Sequence, residues 1–197
     1  MLGPGSVGRT RGRAGLRVGH VREPLVAWAG DCVVRGSIDM ADGRLSDQVN
    51  DLELLTFFDA TLEALEDGHQ VEIGEVEVER GELHLIGVSG RRGDPTRRLR
   101  TVEERVALRI GPFTVTGNLH RAPSAQPLAA LSRWTWFVPV TDAMIEVGDG
   151  SSGPVHQDVV LVNRERIAAS RPLAAVPMGM DESGQFEAPA SIETPSS

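Results

Sequence analysis

The stretch from Cys32 to Val88 constrains this chain most, because a second, eroded copy of it follows. The first copy reads Val33-Val34-Arg35-Gly36-Ser37-Ile38, then Phe57-Phe58-Asp59-Ala60-Thr61-Leu62-Glu63, then Val78-Glu79-Arg80-Gly81-Glu82-Leu83. The second reads Thr114-Val115-Thr116-Gly117-Asn118-Leu119, then Val140-Thr141-Asp142-Ala143-Met144-Ile145-Glu146, then Val162-Asn163-Arg164-Glu165-Arg166-Ile167. Gly117 follows Gly36 by 81 positions, Asp142 follows Asp59 by 83, and Arg164 follows Arg80 by 84. Slowly growing offsets are what duplication and small loop insertions leave behind. A unit of roughly 60 residues is near the lower limit for a self-sufficient core, so two such units gain by burying a shared face.

The local patterns of both copies are those of strands. Val34, Gly36 and Ile38 fall on one face, and a glycine inside a strand marks a bulge or a close backbone approach. Leu45, Val49 and Leu52 have helical spacing, which predicts one or two helical turns. From Leu54 to Leu65, Phe58, Ala60, Leu62 and Ala64 alternate with Asp59, Thr61 and Glu63, as in a half-buried strand. Val71, Ile73, Val76 and Val78 alternate with glutamates, and Gly74 marks a bulge. Leu83 to Val88 then returns, so three strands joined by hairpins are expected. Leu25 to Trp28 reads as a short edge strand. In the second copy Val102 to Ile110, Phe113 to Leu119 and Trp134 to Val147 read as strands. Pro139 makes the last of these an edge or a kink at that point. Gln157 to Val162 and Arg166 to Ala169 are expected to form a hairpin.

The expected fold is therefore all-β. It consists of two tandem pseudo-repeats, each a small curled sheet or barrel of four to five strands, with a short helix after the first Gly-containing strand. The boundaries are a basic tail over 1–24, a first barrel over 25–88, an Arg-rich linker over 89–100, a second barrel over 101–171, and an acidic Pro/Ala/Ser tail over 172–197.

The string Arg44-Leu45-Ser46-Asp47-Gln48-Val49-Asn50, followed by Phe58-Asp59-Ala60, resembles a group of bacterial small β-barrel domains. Those carry Arg-Leu-Ser-Asp-x-Leu-Asn after a Gly-x-Ile/Leu strand, then a strand bearing Thr-Asp-Ala. Phe58 stands where that pattern has Thr, and the second copy keeps Val140-Thr141-Asp142-Ala143 but lacks the Arg-Leu-Ser-Asp string. The likeness covers roughly residues 30–88 and 113–169 and implies a fold, not an activity. A fainter likeness is to Sm-like barrels, in which an Asp and an Asn after a Gly-x-Leu strand hold an RNA base. Gly36, Ile38, Asp47 and Asn50 are similar to that arrangement, with Asp47 and Asn50 one residue too close and no Arg-Gly after Ile86.

Composition narrows the chemistry. The chain has 197 residues, a formal net charge of -8, no tyrosine and a single cysteine, Cys32. All 20 of its basic residues are arginine. Without lysine there is no Walker-type phosphate loop, Schiff base or Ser-Lys dyad. One cysteine excludes an intrachain disulfide and any multi-cysteine metal site. His20, His69, His84, His120 and His156 show no ligand spacing, so neither metal nor cofactor is expected. No apolar run approaches the roughly 20 residues of a membrane span. The first residues lack the apolar segment of a signal peptide, which predicts a cytoplasmic location.

Two sets of residues remain as candidates. Arg44, Asp47 and Asn50, with Trp134 and Trp136, are the ligand or partner candidates. The alternative role for the first three is local: Ser46 and Asn50 as caps of the short helix, with Arg44 and Asp47 paired. Trp134 and Trp136 lie on one face of their strand and Phe137 on the other, so that strand sits between the repeats or meets a partner. Arg91, Arg92, Arg97, Arg98 and Arg100 are the anion-binding candidates. The pattern favours a non-enzymatic interaction or scaffold module with a protein partner or a second copy. A nucleic-acid or nucleotide binder using Asp47, Asn50 and the Arg91–Arg100 loop is the alternative. An enzyme with a site between the repeats comes third.

Overall fold

Ten strands form one continuous antiparallel sheet. The computed structural model describes residues 21–40, 43–88, 100–133, 136–148 and 153–173. The strands are β1 (Val21–Trp28), β2 (Cys32–Met40), β3 (Leu54–Ala64), β4 (Gln70–Glu79), β5 (Leu85–Val88), β6 (Val102–Ile110), β7 (Phe113–Arg121), β8 (Phe137–Val147), β9 (Val155–Asn163) and β10 (Ile167–Pro172). Helix α1 (Leu45–Asp51) links β2 to β3, and α2 (Ala129–Arg133) lies between β7 and β8. Single 3-10 turns at Arg80–Glu82 and Arg164–Arg166 precede β5 and β10. No helix among the described residues is long and apolar enough to cross a membrane.

The strand order is β10-β6-β7-β8-β9-β5-β1-β2-β3-β4. This corrects four expectations. The sheet does not close into two separate barrels, because β5 pairs with β1 on one side and with β9 on the other. Leu25 to Trp28 is not an edge, since β1 lies between β5 and β2. β4 and β5 do not form a hairpin, and neither do β9 and β10, which pairs with β6. In both places the 3-10 turn carries the chain away from its sequence neighbour to a more distant strand.

The two sides of the order, β5-β1-β2-β3-β4 and β10-β6-β7-β8-β9, have matching registers. Leu25 faces Gly36, and Val106 faces Gly117. Ala27 faces Ile86, and Leu108 faces Ser170. A Cβ at Gly36 would lie 2.8 Å from the Phe58 carbonyl oxygen, and one at Gly117 would lie 2.9 Å from that of Thr141. Each glycine sits at a register shift, beside an aspartate with positive φ: Asp59 at 52° and Asp142 at 50°. Aspartate tolerates this left-handed conformation better than most residues. The glycine is needed because the bulged strand passes too close for any side chain.

Two apolar clusters hold the sheet. Leu25, Val34, Ile38, Leu55, Phe57 and Ile86 belong to one; Leu108, Phe113, Val115, Val140, Ile145 and Val160 belong to the other. Neighbouring side chains on a strand point to opposite faces. In the middle of the sheet, successive residues therefore feed different clusters. Leu85 joins the second and Ile86 the first; Phe137 joins the first and Val138 the second. Pro139 fits because β8 has lost β7 as a neighbour there: the last β7–β8 pair is Asn118 with Thr141.

Gly117→Ala and Gly36→Ala are expected to lower stability by about 1–3 kcal/mol each, the usual cost of overpacking. Gly81→Ala, with open space around it, is expected to change little. Chemical denaturation of the three variants checks this.

Candidate functional site

Helix α1 reaches across the sheet to the opening of β8. Asn50 does the reaching. Its Oδ1 accepts from the backbone N–H groups of Trp136 at 3.0 Å and Phe137 at 2.9 Å. Its Nδ2 donates to the carbonyls of Ser46 at 2.7 Å and Phe137 at 3.3 Å. The Asn50 carbonyl accepts from Arg80 at 2.6 Å, and the Arg80 guanidinium stacks on the Trp136 ring at 4.3 Å. The amide thus copies a strand neighbour for β8 where β7 no longer pairs with it. Phe137 is fully buried in the first cluster, and Trp136 packs against it. The strand itself lies between β7 and β9, and only its opening, at Trp136 and Phe137, packs into the first cluster.

The rest of the Arg44–Asn50 string has smaller roles. Arg44 occupies the N-cap position without a side-chain cap bond, and Leu52 closes the helix in extended conformation. Neither Ser46 nor Asn50 makes the cap expected of it, because the Asn50 amide is drawn to β8 and to the carbonyl of Ser46. Ser46 and Asp47 make only a 3.5 Å contact with each other. Gln48, not singled out in the sequence, donates to the Asp39 carbonyl at 2.8 Å. Trp134, Arg91, Arg92, Arg97 and Arg98 lie outside the described residues; Arg100 is exposed.

A second bracket closes the same joint. Asn163 is fully buried. Its Nδ2 donates to the Leu83 carbonyl at 2.8 Å, and its backbone N–H donates to the His84 carbonyl at 2.9 Å. Arg166 donates twice to the Gly81 carbonyl, at 2.6 and 2.9 Å. His84 lies beneath the turn between β6 and β7, where Gly111 has φ 55°. A Cβ at Gly111 would come within 2.6 Å of the His84 ring, which also meets Phe113 edge to face. His84 Nδ1 is buried without a partner in the described structure. Burial, and then the nearby Arg166 charge, push the imidazole below its ordinary pKa, against an opposing pull from the Glu82 backbone.

Two polar surface clusters flank the bulges. Arg22 pairs with Asp39 and Asp59 and lies 4.1 Å over the Phe58 ring. On the other half Arg105 and His156 pair with Asp142, and His120 shares a 2.8 Å hydrogen bond with Thr141. The His156 and Arg105 contacts hold the Asp142 carboxyl below the usual carboxylate range. Pairs this exposed contribute little to stability. Partial burial, then Asp31, push the Cys32 thiol up, which keeps it protonated and a poor nucleophile at neutral pH. Among the described residues no group of three His, Cys, Asp or Glu side chains is placed to hold a metal ion.

The remaining exposed features are the two ends of the sheet. β4 is ten residues long and exposed along most of its length. It carries Glu72, Glu75, Glu77 and Glu79 and no base. β10 is six residues long, carries Arg171 and ends at Pro172. The chain matches no protein-family model, no curated protein and no solved structure.

Two measurements follow from the joint. Asn50→Ala leaves two backbone N–H groups without their acceptor, and a loss of about 2 kcal/mol or more is expected. Trp136→Ser is expected to destabilise as well. The double variant should lose less than the sum of the two, because Asn50, Arg80 and Trp136 act as one unit; a double-mutant cycle by denaturation reads this. The second concerns pH. Because the folded-state pKa of His84 is lowered, the unfolded chain binds more protons as pH falls below about 6.5. Stability should be full above that pH and decline below it towards the folded pKa. In His84→Leu this part of the decline should vanish.

Proposed function

We propose that this protein is a non-enzymatic interaction scaffold built from two copies of one small β module, fused through β5 and β9. The matching registers, the paired Gly36/Gly117 and Asp59/Asp142 bulges and the two 3-10 turns support the duplication. Within each module the order is fifth, first, second, third, fourth strand. This supports kinship with the small β-barrel domains named above, each module curling around its own apolar cluster. One observation carries the functional reading: both ends of the sheet, β4 and β10, present strand edges without a neighbour among the described strands. An open edge offers backbone donors and acceptors to an extended segment of another protein. The glutamates of β4 favour a basic segment there. The nucleic-acid reading has less support, since Asn50 spends its amide on β8 and the exposed β4 face is acidic.

Edge docking is tested by cross-linking the purified chain in an extract of its native host and mapping the sites of attachment. Cross-links concentrated on β4 or β10, and lost in Glu75→Arg/Glu77→Arg with an unchanged melting temperature, are expected. Attachment indifferent to these substitutions, or recovery of nucleic acid in place of protein, would contradict the reading.

A further inference from the structure

The counterpart of β4 already carries a strand on the edge that β4 leaves open. Under the two-module reading that counterpart is β9: Asp59 and Asp142 mark the same bulge, Phe58 pairs with Glu75, and Thr141 pairs with Val159. Val159, Val160, Leu161 and Val162 thus correspond to Glu75, Val76, Glu77 and Val78. β9 takes an antiparallel neighbour over these residues, with Val88, Gly87, Ile86 and Leu85 opposite them in that order. Two of the four positions keep their character in β4. Val76 and Val78 are half-buried and pack against the first apolar cluster. The other two change from apolar to acidic, and Glu79 continues their row. Glu75, Glu77 and Glu79 are exposed, and none of them pairs with a base among the described residues. We propose that the β4 edge takes an extended segment of another protein, with basic side chains at every second position and apolar ones between them. The inference rests on the scaffold reading and names the partner that its open β4 edge selects.

Strand geometry sets that pattern. Successive side chains point to opposite faces, so the three glutamates share one face and Val76 and Val78 share the other. Pairing with β3 is unbroken from Leu54 with Glu79 to Phe58 with Glu75, and it shifts beyond, where Gly74 has φ 85°. The regular edge therefore runs from Glu75 to Glu79. A docked strand brings cations to three carboxylates on one face and widens the first apolar cluster on the other. Its backbone hydrogen bonds supply attachment, and its side chains supply selection. Opposite charges facing across neighbouring strands stabilise the pair, and exposed ones weaken as salt screens them. A second copy of this chain fits less well. In the register that β5 takes on β9, β10 would set Arg171 opposite Val76 and Pro172 opposite Glu75. Its one cation would then lie on the apolar face, and its proline has no N–H to give. A second β4 would bring carboxylates to carboxylates or to valines.

Titration of the full chain with short synthetic peptides, read by hydrogen exchange of the β4 amides, tests the proposal. One peptide alternates arginine and valine, a second holds the same residues in two blocks, and a third alternates glutamate and valine. The alternating arginine peptide is expected to protect Glu75–Glu79 and to bind roughly tenfold more tightly than the block peptide, through three cross-strand ion pairs. The glutamate peptide should not bind. The advantage of the alternating peptide should disappear at high salt and in Glu75→Gln/Glu77→Gln/Glu79→Gln at an unchanged melting temperature. Equal binding of the two arginine peptides, or protection that maps away from β4, overturns the proposal. So does protection of these amides without peptide, which assigns the edge to the chain itself if constant and to a second copy if it grows with protein concentration. Arginine peptides that bind alike, beside host cross-links that still depend on the β4 substitutions, would sink this inference alone. Cross-links indifferent to those substitutions would take the scaffold reading with it.

Discussion

Everything in this molecule depends on a four-residue strand with neighbours on both sides. β5 pairs with β1 through Leu25 to Trp28 and with β9 through Val159 to Val162. Leu85 points into one apolar cluster and Ile86 into the other. Fully burying an aliphatic side chain of this size is worth about 1.5–3 kcal/mol, so the strand contributes to both cores at once. A unit of roughly sixty residues struggles to bury enough surface alone. The ladder of β5 with β1 and β9 leaves neither β5 nor β9 as an edge, and Phe137 completes the cluster on the other side of the sheet. Asn50 and Asn163 secure the joint, each replacing a missing ladder neighbour with side-chain hydrogen bonds.

Under the two-module reading, the outer edges are the same strands as the inner ones, with different residues. Leu161 on β9 corresponds to Glu77 on β4, and Val88 on β5 corresponds to Pro172 on β10. Gly87 corresponds to Arg171. A Cβ at Gly87 would already come within 3.0 Å of the Trp28 ring, so an arginine there has no room. Charge and proline on outer strands are the usual devices that stop a sheet from growing.

The bulges were legible because they rest on short-range sterics: a glycine in a strand, and an Asp-Ala pair a fixed distance later. Helix α1 was legible from its apolar spacing, and Pro139 from the loss of a donor. The pairing of β5 was not. Glu79-Arg80-Gly81-Glu82 has the composition of a tight turn, and nothing local says that the chain leaves β4 for β1 and β9. The role of Asn50 was hidden for a similar reason. Its acceptors and donors at Trp136 and Phe137 lie more than eighty positions away, and short-range patterns offered only a cap or a ligand contact. Asn163 falls inside the segment read as a second copy, yet its burial depends on β5, which the hairpin expectation places elsewhere.

Native-state hydrogen exchange across the whole sheet tests the shared joint most directly. If β5 unites both halves, the amides of Leu85–Val88 and Val159–Val162 exchange only through global unfolding, as slowly as the most protected amides of β2 and β7. Exchange of β5 and β9 through a separate, easier opening, with each half retaining its own protection, would contradict the account.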